Sequence, residues 1–301
     1  MIPSRAMATN ILCIAGPTAS GKSGRAVAEA LARGGEVISV DSRQVYRGLD
    51  IGTEKISVEE MRGVPHHLID IRDPEGQYSA GDFVADAARL IREITARGKL
   101  PILAGGTHFY FNALLGGLPA GVDEDPVLRA ELETLPTEEL FARVQTADAR
   151  RAAELDPKNR RRLIRALEII RAKGAVPAQP LSAPAYDAEW IVINPPVEEL
   201  RERIEARLRS ALSRGLVEEV RRVRAAVGDA RLAELGLEYR TVGEYLSSSA
   251  KATEDTARLK AELLPRLSAK LWQYARRQKA WLRKLREENT IAATASHPDR
   301  N

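Results

Sequence analysis

The sequence predicts an α/β fold: a parallel β-sheet flanked by helices, with an inserted all-helical domain. Three observations predict it. Short apolar runs alternate with amphipathic helical patterns through the first third of the chain. One of those runs feeds directly into a glycine-bearing loop and then a helix. From about Leu118 to Tyr186 helical patterns replace the alternation, and a strand-like run then returns.

Ile11 to Ala15 has the length and flanks of a buried parallel strand. It runs into Gly16-Pro17-Thr18-Ala19-Ser20-Gly21-Lys22-Ser23, which fits G-x-x-x-x-G-K-[ST], and a helical pattern follows from Ala26 to Leu31. The glycines of such a loop let backbone N–H groups wrap phosphate oxygens, and the helix N-terminus adds its partial positive charge. Lys22 is expected to hold the terminal phosphates and Ser23 to ligate Mg²⁺. The pattern specifies a diphosphate, held by the eight residues from Gly16 to Ser23. It does not specify ATP.

Glu36 to Val40 reads as a second strand, ending at Asp41, and His67 to Ile71 as a shorter third. Phe83 to Ala96 is an amphipathic helix with Phe83, Ala87, Leu90, Ile91 and Ile94 on one face. Leu100 to Ala104 is another buried strand, closed by Gly105-Gly106-Thr107. Ligands gather at the carboxyl ends of parallel strands, so Ser23, Asp41 and Thr107 are expected to converge. Asp41 fits a Walker-B-type Mg²⁺ ligand, a general base facing the phosphate loop, or a turn cap within Asp41-Ser42. The Gly-Gly-Thr turn offers backbone N–H groups and a hydroxyl.

Helical patterns cover Val127 to Leu135, Thr137 to Thr146, Ala149 to Leu155 and Arg161 to Lys173, followed by a stretch holding Pro177, Pro180 and Pro184. Trp190 to Ile193 returns to strand. Val197 to Ala226 reads as one long helix with Leu200, Ile204, Leu208 and Leu212 as its core stripe, and Gly215 is a point of breakage or bending. Pro265 is suited to open the last helix, where its missing N–H costs nothing. That helix runs to about Glu288, before a frayed tail. The expected organisation is a core of residues 1–117 and 188–301 with a helical insertion at 118–187.

Hydrophobic content of 44% with 29% charged residues belongs to a soluble globular chain. No apolar run reaches membrane-spanning length. The first ten residues hold no signal core, and Met7 is a second candidate start. Cys13 is the single cysteine, which excludes an intrachain disulfide and a cysteine-based zinc site and suits a reducing cytoplasm. His66 and His67 are adjacent and would point to opposite faces of a strand, which argues against a metal pair. His108 and His297 have no evident partner in the sequence.

The net charge is +4, yet residues 1–149 carry −6 and residues 150–301 carry +10. This asymmetry points either to a polyanionic partner for the C-terminal part or to solvated helix faces. Lys270 to Arg286 holds Lys270, Arg276, Arg277, Lys279, Arg283, Lys284 and Arg286 with no acidic residue, and Trp272, Tyr274 and Trp281 lie among them. Unopposed cations with aromatics suit phosphate tracking and base stacking. Arg160-Arg161-Arg162 with Arg165 forms a second cluster. Two basic clusters beside a phosphate loop favour a nucleic-acid substrate.

Taken in order, a set of motifs resembles the bacterial tRNA dimethylallyltransferase (isopentenyl-pyrophosphate:tRNA transferase) family from Ile11 to about Lys284. They are Gly16 to Ser23, Asp41-Ser42-Arg43-Gln44-Val45-Tyr46, Asp50-Ile51-Gly52-Thr53, Pro65 to Asp70, Tyr78 to Phe83, Gly105-Gly106-Thr107, Arg162 to Glu168, and Arg277-Gln278 with Trp281-Leu282-Arg283. The resemblance implies a P-loop nucleotide-kinase-like fold and transfer of a dimethylallyl group from its diphosphate to N6 of the adenosine 3′-adjacent to the anticodon. The phosphate loop would then bind the prenyl donor with Mg²⁺, and Asp41 would accept the N6 proton. Thr107 and Arg129 would contact the reacting region. Asp41, Ser42, Arg43 and Gln44 would face the tRNA anticodon stem-loop. So would Arg161, Arg162, Leu163, Ile164 and Arg165, and also Arg276, Arg277, Gln278, Lys279 and Arg283.

No membrane role or obligate protein partner is implied, and a monomer is expected. Two departures stand out: an insertion of about two residues in Gly236-Leu237-Glu238-Tyr239-Arg240, and Asn159-Arg160 where Asn-Asp is common. The zinc-finger extension of some eukaryotic relatives is absent. The rival readings are an adenylate isopentenyltransferase acting on a free nucleotide, a small-molecule kinase and a non-enzymatic RNA-binding module.

Overall fold

A computed structural model describes residues 9–118, 122, 125–177, 186–248 and 256–289. Met7, Pro180, Pro184, His297 and the expected tail beyond residue 289 lie outside the described residues. The chain forms two compact units, one of residues 1–115 with 184–301 and the other of residues 116–183.

The first unit is built on five parallel strands. In chain order its first half comprises β1 (Thr9–Ala15), α1 (Lys22–Arg33), β2 (Gly35–Val40), α2 (Val58–Met61), β3 (His66–His67), α3 (Ala80–Ala96), β4 (Leu100–Gly105) and α4 (His108–Gly116). The sheet order is β3-β2-β4-β1 followed by the strand Tyr186–Val192 at the far edge. Ile11 to Ala15 and Val37, Ile38 and Val40 are all buried, as strands covered on both faces require.

Register decides which residues meet. Ala15 and Val40 both pair with Gly105, and Ala15 also pairs with Val192, so four strands end level. Gly16, Asp41 and Gly106 therefore leave the same carboxyl edge. Glycine at 105 is dictated by packing, because a Cβ there would lie 2.0 Å from the Val40 carbonyl oxygen. The third strand is shorter than expected and starts earlier. Leu68 and Asp70 adopt left-handed backbone angles, which end the pairing after His67. The last strand starts four residues before Trp190, because Thr9 to Leu12 offer Tyr186 to Glu189 a partner edge.

The second unit is all helical: α5 (Pro126–Glu133), α6 (Thr137–Ala147), α7 (Ala149–Glu154) and α8 (Arg160–Lys173). Asp125 caps α5, accepting the N–H groups of Val127 and Leu128, and Pro126 sits where its lost N–H is harmless. Leu128, Leu132, Leu140, Val144, Leu163, Ile164 and Ile169 form its own core.

After β5 (Tyr186–Val192), the first unit ends in helices α9 (Val197–Ser213), α10 (Leu216–Glu234), α11 (Leu237–Ser248) and α12 (Thr256–Asn289). The expected long helix is two helices. Gly215 takes φ 100°, a left-handed angle that stops one and starts the next. Pro265 does not open the final helix but lies inside it. The apolar stripe explains this: Leu263, two residues before the proline, is buried in the same core as Leu267, Leu271, Ala275, Leu282 and Leu285.

Candidate active site

The loop Gly16 to Ser23 joins β1 to α1. Gly21 has φ 87°, and Ala19 is also left-handed at φ 61°. A non-glycine residue at such an angle is strained. Lys22 opens α1, and its ammonium donates to the Pro17 carbonyl at 2.6 Å, folding back over the loop. Loss of hydration pulls the Lys22 pKa down to about 8; Asp41 pulls it up and Arg207 pushes it further down. A desolvated cation of this kind is a strong receptor for an incoming anion. Ser23 is exposed at the first turn of α1.

Asp41 follows β2. Its Oδ1 accepts the N–H groups of Arg43 (2.8 Å) and Gln44 (3.3 Å), so Asp41 is a turn cap through one oxygen. Among the described residues Oδ2 has no such partner. Thr107 sits beside it: its N–H donates to Val40 O at 3.1 Å, and its Oγ1 accepts the Ser42 N–H at 3.1 Å. A Cβ built on Gly106 would lie 3.8 Å from Lys22 Cε. Phosphate loop, Asp41 and Thr107 thus share one sheet edge.

Several residues expected to face nucleic acid have other work. Gln278 is 4% exposed; its Oε1 accepts the Thr18 N–H and its Nε2 donates to Gly106 O, both at 2.9 Å. A side chain spent at both ends inside the protein is not a surface contact. Gln44 likewise donates to Thr53 O and Glu54 O and accepts from Ser39 Oγ. Lys279 donates to Asn194 and to Pro195 O (2.7 Å). Leu163 and Ile164 are 0% and 2% exposed in the core of the second unit, as apolar residues on the inner face of α8 must be. Arg161 and Arg162 are exposed, as are Arg276, Arg277 and Arg283 on α12, with Arg277 5.9 Å over the Tyr274 ring. Ser42 and Arg43 are half-buried.

In the second unit Arg129 forms a two-pronged pair with Glu168 (2.8 and 3.0 Å), and Arg165 reaches the same carboxylate at 2.9 Å. Glu168 is fully enclosed. Arg160 donates to the Leu132, Glu133 and Leu135 carbonyls at the end of α5, so its departure from the common Asn-Asp has a local structural use.

Sequence reasoning missed two arginines. Arg203 donates to Ser20 O at 3.3 Å, and Arg207, one turn on, donates to Thr18 Oγ1 and to Glu238 Oε1 (2.9 Å). Both lean from α9 onto the phosphate loop. The only sequence signal was their i, i+4 spacing beside the Leu200-Ile204-Leu208 stripe, which any solvated helix face shares. Glu238, in the segment that departs from the family pattern, is buried against Arg207, and burial holds its carboxyl above the usual range.

Among the described residues no group of three or more His, Cys, Asp or Glu side chains could hold a metal ion. His67 meets Glu36 at 2.8 Å and His66 lies 2.8 Å from Val64 O. Cys13 is fully buried. No described helix is long and apolar enough to cross a membrane.

The family model described as IPP transferase matches residues 44–285. The chain belongs to the IPP transferase family. A tRNA dimethylallyltransferase of Thermomicrobium roseum is 42% identical over 286 residues, covering 92% of this chain and 84% of that protein. A full-length tRNA isopentenylpyrophosphate transferase of Bacillus halodurans superposes with TM-score 0.66 at 36% identity, over 91% of this chain and 86% of that one. A eukaryotic dimethylallyltransferase acting on tRNA superposes with TM-score 0.77 at 26% identity, over 91% of this chain and 70% of that one. The family's sheet and flanking helices are those described above, and the family motifs divide between site and scaffold. Glu219 accepts the N–H groups of Asp50, Ile51 and Gly52 and the Tyr239 hydroxyl, and Ser79 and Asp82 form the capping box of α3.

Proposed function

We propose that this protein is a tRNA dimethylallyltransferase that moves a dimethylallyl group from dimethylallyl diphosphate to N6 of the adenosine 3′-adjacent to the anticodon. What carries the reading is the convergence of a phosphate loop with Asp41 and Thr107, tied through Gln278 to a helix that presents Arg276 and Arg283 to solvent. The donor's diphosphate sits in the loop amides from Gly16 to Ser23, against Lys22, with Arg203 and Arg207 closing over it.

In the transfer, N6 forms a bond to the allylic carbon as the carbon–oxygen bond to the diphosphate breaks, and that electron pair leaves on the diphosphate. Asp41 Oδ2 takes the N6 proton. The amine's lone pair is delocalised into the ring, so removing the proton as the bond forms strengthens a weak nucleophile. Lys22, Arg203 and Arg207 stabilise charge that grows on the leaving group. Asp41 keeps its aim because two backbone N–H groups hold its other oxygen. Thr107 fixes the Asp41-Ser42 turn and borders the same edge.

Mg²⁺ fits this donor set. A hard cation that keeps its waters and binds mainly through substrate phosphates needs few protein oxygens. The Ser23 hydroxyl at the start of α1 would provide one. When bound, the ion neutralises charge on the diphosphate. The enzyme acts as a monomer in the cytoplasm. Because the target base must leave the anticodon-loop stack to reach Asp41, exposed cations on α12, and those on α8 in the second unit, offset that loss by binding stem-loop phosphates.

The test uses labelled dimethylallyl diphosphate with bulk tRNA or with AMP. Label in tRNA alone is expected. Label in AMP alone would replace this reading with a free-nucleotide isopentenyltransferase, and ATP hydrolysis without prenyl transfer would replace it with a kinase.

A further inference from the structure

His108 opens α4 immediately after the Gly105-Gly106-Thr107 turn and is 7% exposed. Its imidazole lies flat against the Trp281 indole of α12, with ring centroids 4.1 Å apart and planes 12° from parallel. Among the described residues neither ring nitrogen has a hydrogen-bond partner, and Nε2 is sealed from solvent. Nδ1 is therefore the open nitrogen. A buried N–H without an acceptor is the costlier arrangement, so the proton belongs on Nδ1 and the sealed Nε2 keeps its lone pair. Burial, with Lys22 adding to it, holds the His108 pKa down at about 4, which leaves a single proton on the ring at neutral pH.

The neighbourhood says what that N–H is for. The turn preceding His108 abuts Lys22, since a Cβ on Gly106 would meet Lys22 Cε at 3.8 Å. Lys22, Arg203 and Arg207 already load the loop with positive charge that the free enzyme must tolerate. One more donor is cheapest if it brings no charge, and a neutral imidazole at a helix N-terminus is such a donor. The Trp281 stack fixes the ring plane in advance, so little rotational freedom is lost when a ligand arrives.

We propose that His108 is a further binding residue for the donor, giving its Nδ1–H to a diphosphate oxygen beside Lys22. The proposal rests on the donor-site reading above, and its test separates the two. Inorganic pyrophosphate is the probe, measured as an inhibitor against dimethylallyl diphosphate with wild type, His108→Phe, His108→Asn and Lys22→Ala. Phenylalanine keeps a ring to stack on Trp281 but has no donor. Asparagine loses the ring but carries an amide N–H near the Nδ1 position. His108→Phe is expected to raise the pyrophosphate Ki about tenfold, while His108→Asn stays within about threefold of wild type and tRNA affinity is unchanged in both. An unchanged Ki in His108→Phe overturns the proposal. So do equal shifts in both variants that track a fall in Tm, because those report packing alone. Should neither variant fold, wild-type protein labelled with ¹⁵N-histidine decides: the Nδ1 resonance of His108 must move on adding pyrophosphate, and a still resonance overturns the proposal. If wild type and Lys22→Ala bind pyrophosphate equally, the donor-site reading itself fails.

Discussion

Gln278 accepts the backbone N–H of Thr18 at 2.9 Å across 260 residues of sequence, and its amide nitrogen donates to Gly106 at the same distance. One side chain thus joins α12 to both the phosphate loop and the Gly-Gly-Thr turn. The helix that presents cations to solvent also holds the loop proposed to bind the donor.

Replacing Gln278 by leucine keeps roughly the volume and removes both bonds. The buried Gly106 carbonyl then lacks its partner, at about 1–3 kcal/mol, and the half-buried Thr18 N–H loses one at a smaller cost. A lower Tm and a raised KM for the donor are expected, with kcat less affected. Thermal melting alongside steady-state kinetics checks this, and a variant with wild-type Tm and KM would show that the link is incidental.

Asp41→Asn separates the cap from the base. The asparagine Oδ1 still accepts the Arg43 and Gln44 N–H groups, so the turn and the melting temperature should persist. Its nitrogen cannot take a proton. The expected loss in kcat is about 10²–10⁴ with tRNA affinity intact. Near-normal turnover would remove Asp41 from the chemistry.

Lys22 gives the protein a signature in pH. Its folded pKa of about 8 lies below the ordinary 10.5. Between these values the unfolded chain holds more protons than the folded one, so the stability of the ligand-free protein rises with pH across that window. Below about pH 8 the lysine is charged in both states, and its burial is then most costly. The proposed function runs the opposite way: if the charged form holds the diphosphate, kcat/KM for the donor should fall above about pH 8. Lys22→Met should abolish the rise in stability. A kcat/KM profile flat to pH 9.5 would mean that Lys22 is not desolvated.

Arg276 and Arg283 should read as phosphate contacts. Each one replaced by alanine should weaken tRNA binding and reduce the slope of log affinity against log salt by about one. Lys279→Ala should instead act on stability, because its ammonium is held by Asn194 and Pro195. Filter binding over a salt series distinguishes the two behaviours.

Glu168→Ala removes the carboxylate that Arg129 and Arg165 share. Stranding a buried charge commonly costs about 3–5 kcal/mol. Here the arginine side chains are 31% and 35% exposed and regain water, so a loss nearer about 2 kcal/mol is expected. Limited proteolysis of residues 116–183 reports it directly.

The sequence by itself determined the local features. The strand–loop–helix signature around Lys22, the apolar stripe of α9 and the amphipathic face of α3 are each written within a few adjacent residues, because backbone angles and periodic burial depend on near neighbours. Asp41 and Thr107 were legible too, since parallel strands that end level must bring the residues following them together. Tertiary structure decided what depends on distant partners. Arg203 and Arg207 look like any solvated pair until α9 is packed over the loop. Gln278 and Gln44 look like surface amides until the carbonyls they bond are placed. Pro265 looks like a helix start until Leu263 is found in the same core as Leu267. A side chain's job is set by whichever group fills its hydrogen-bonding and packing shell, and for these residues that group lies far along the chain.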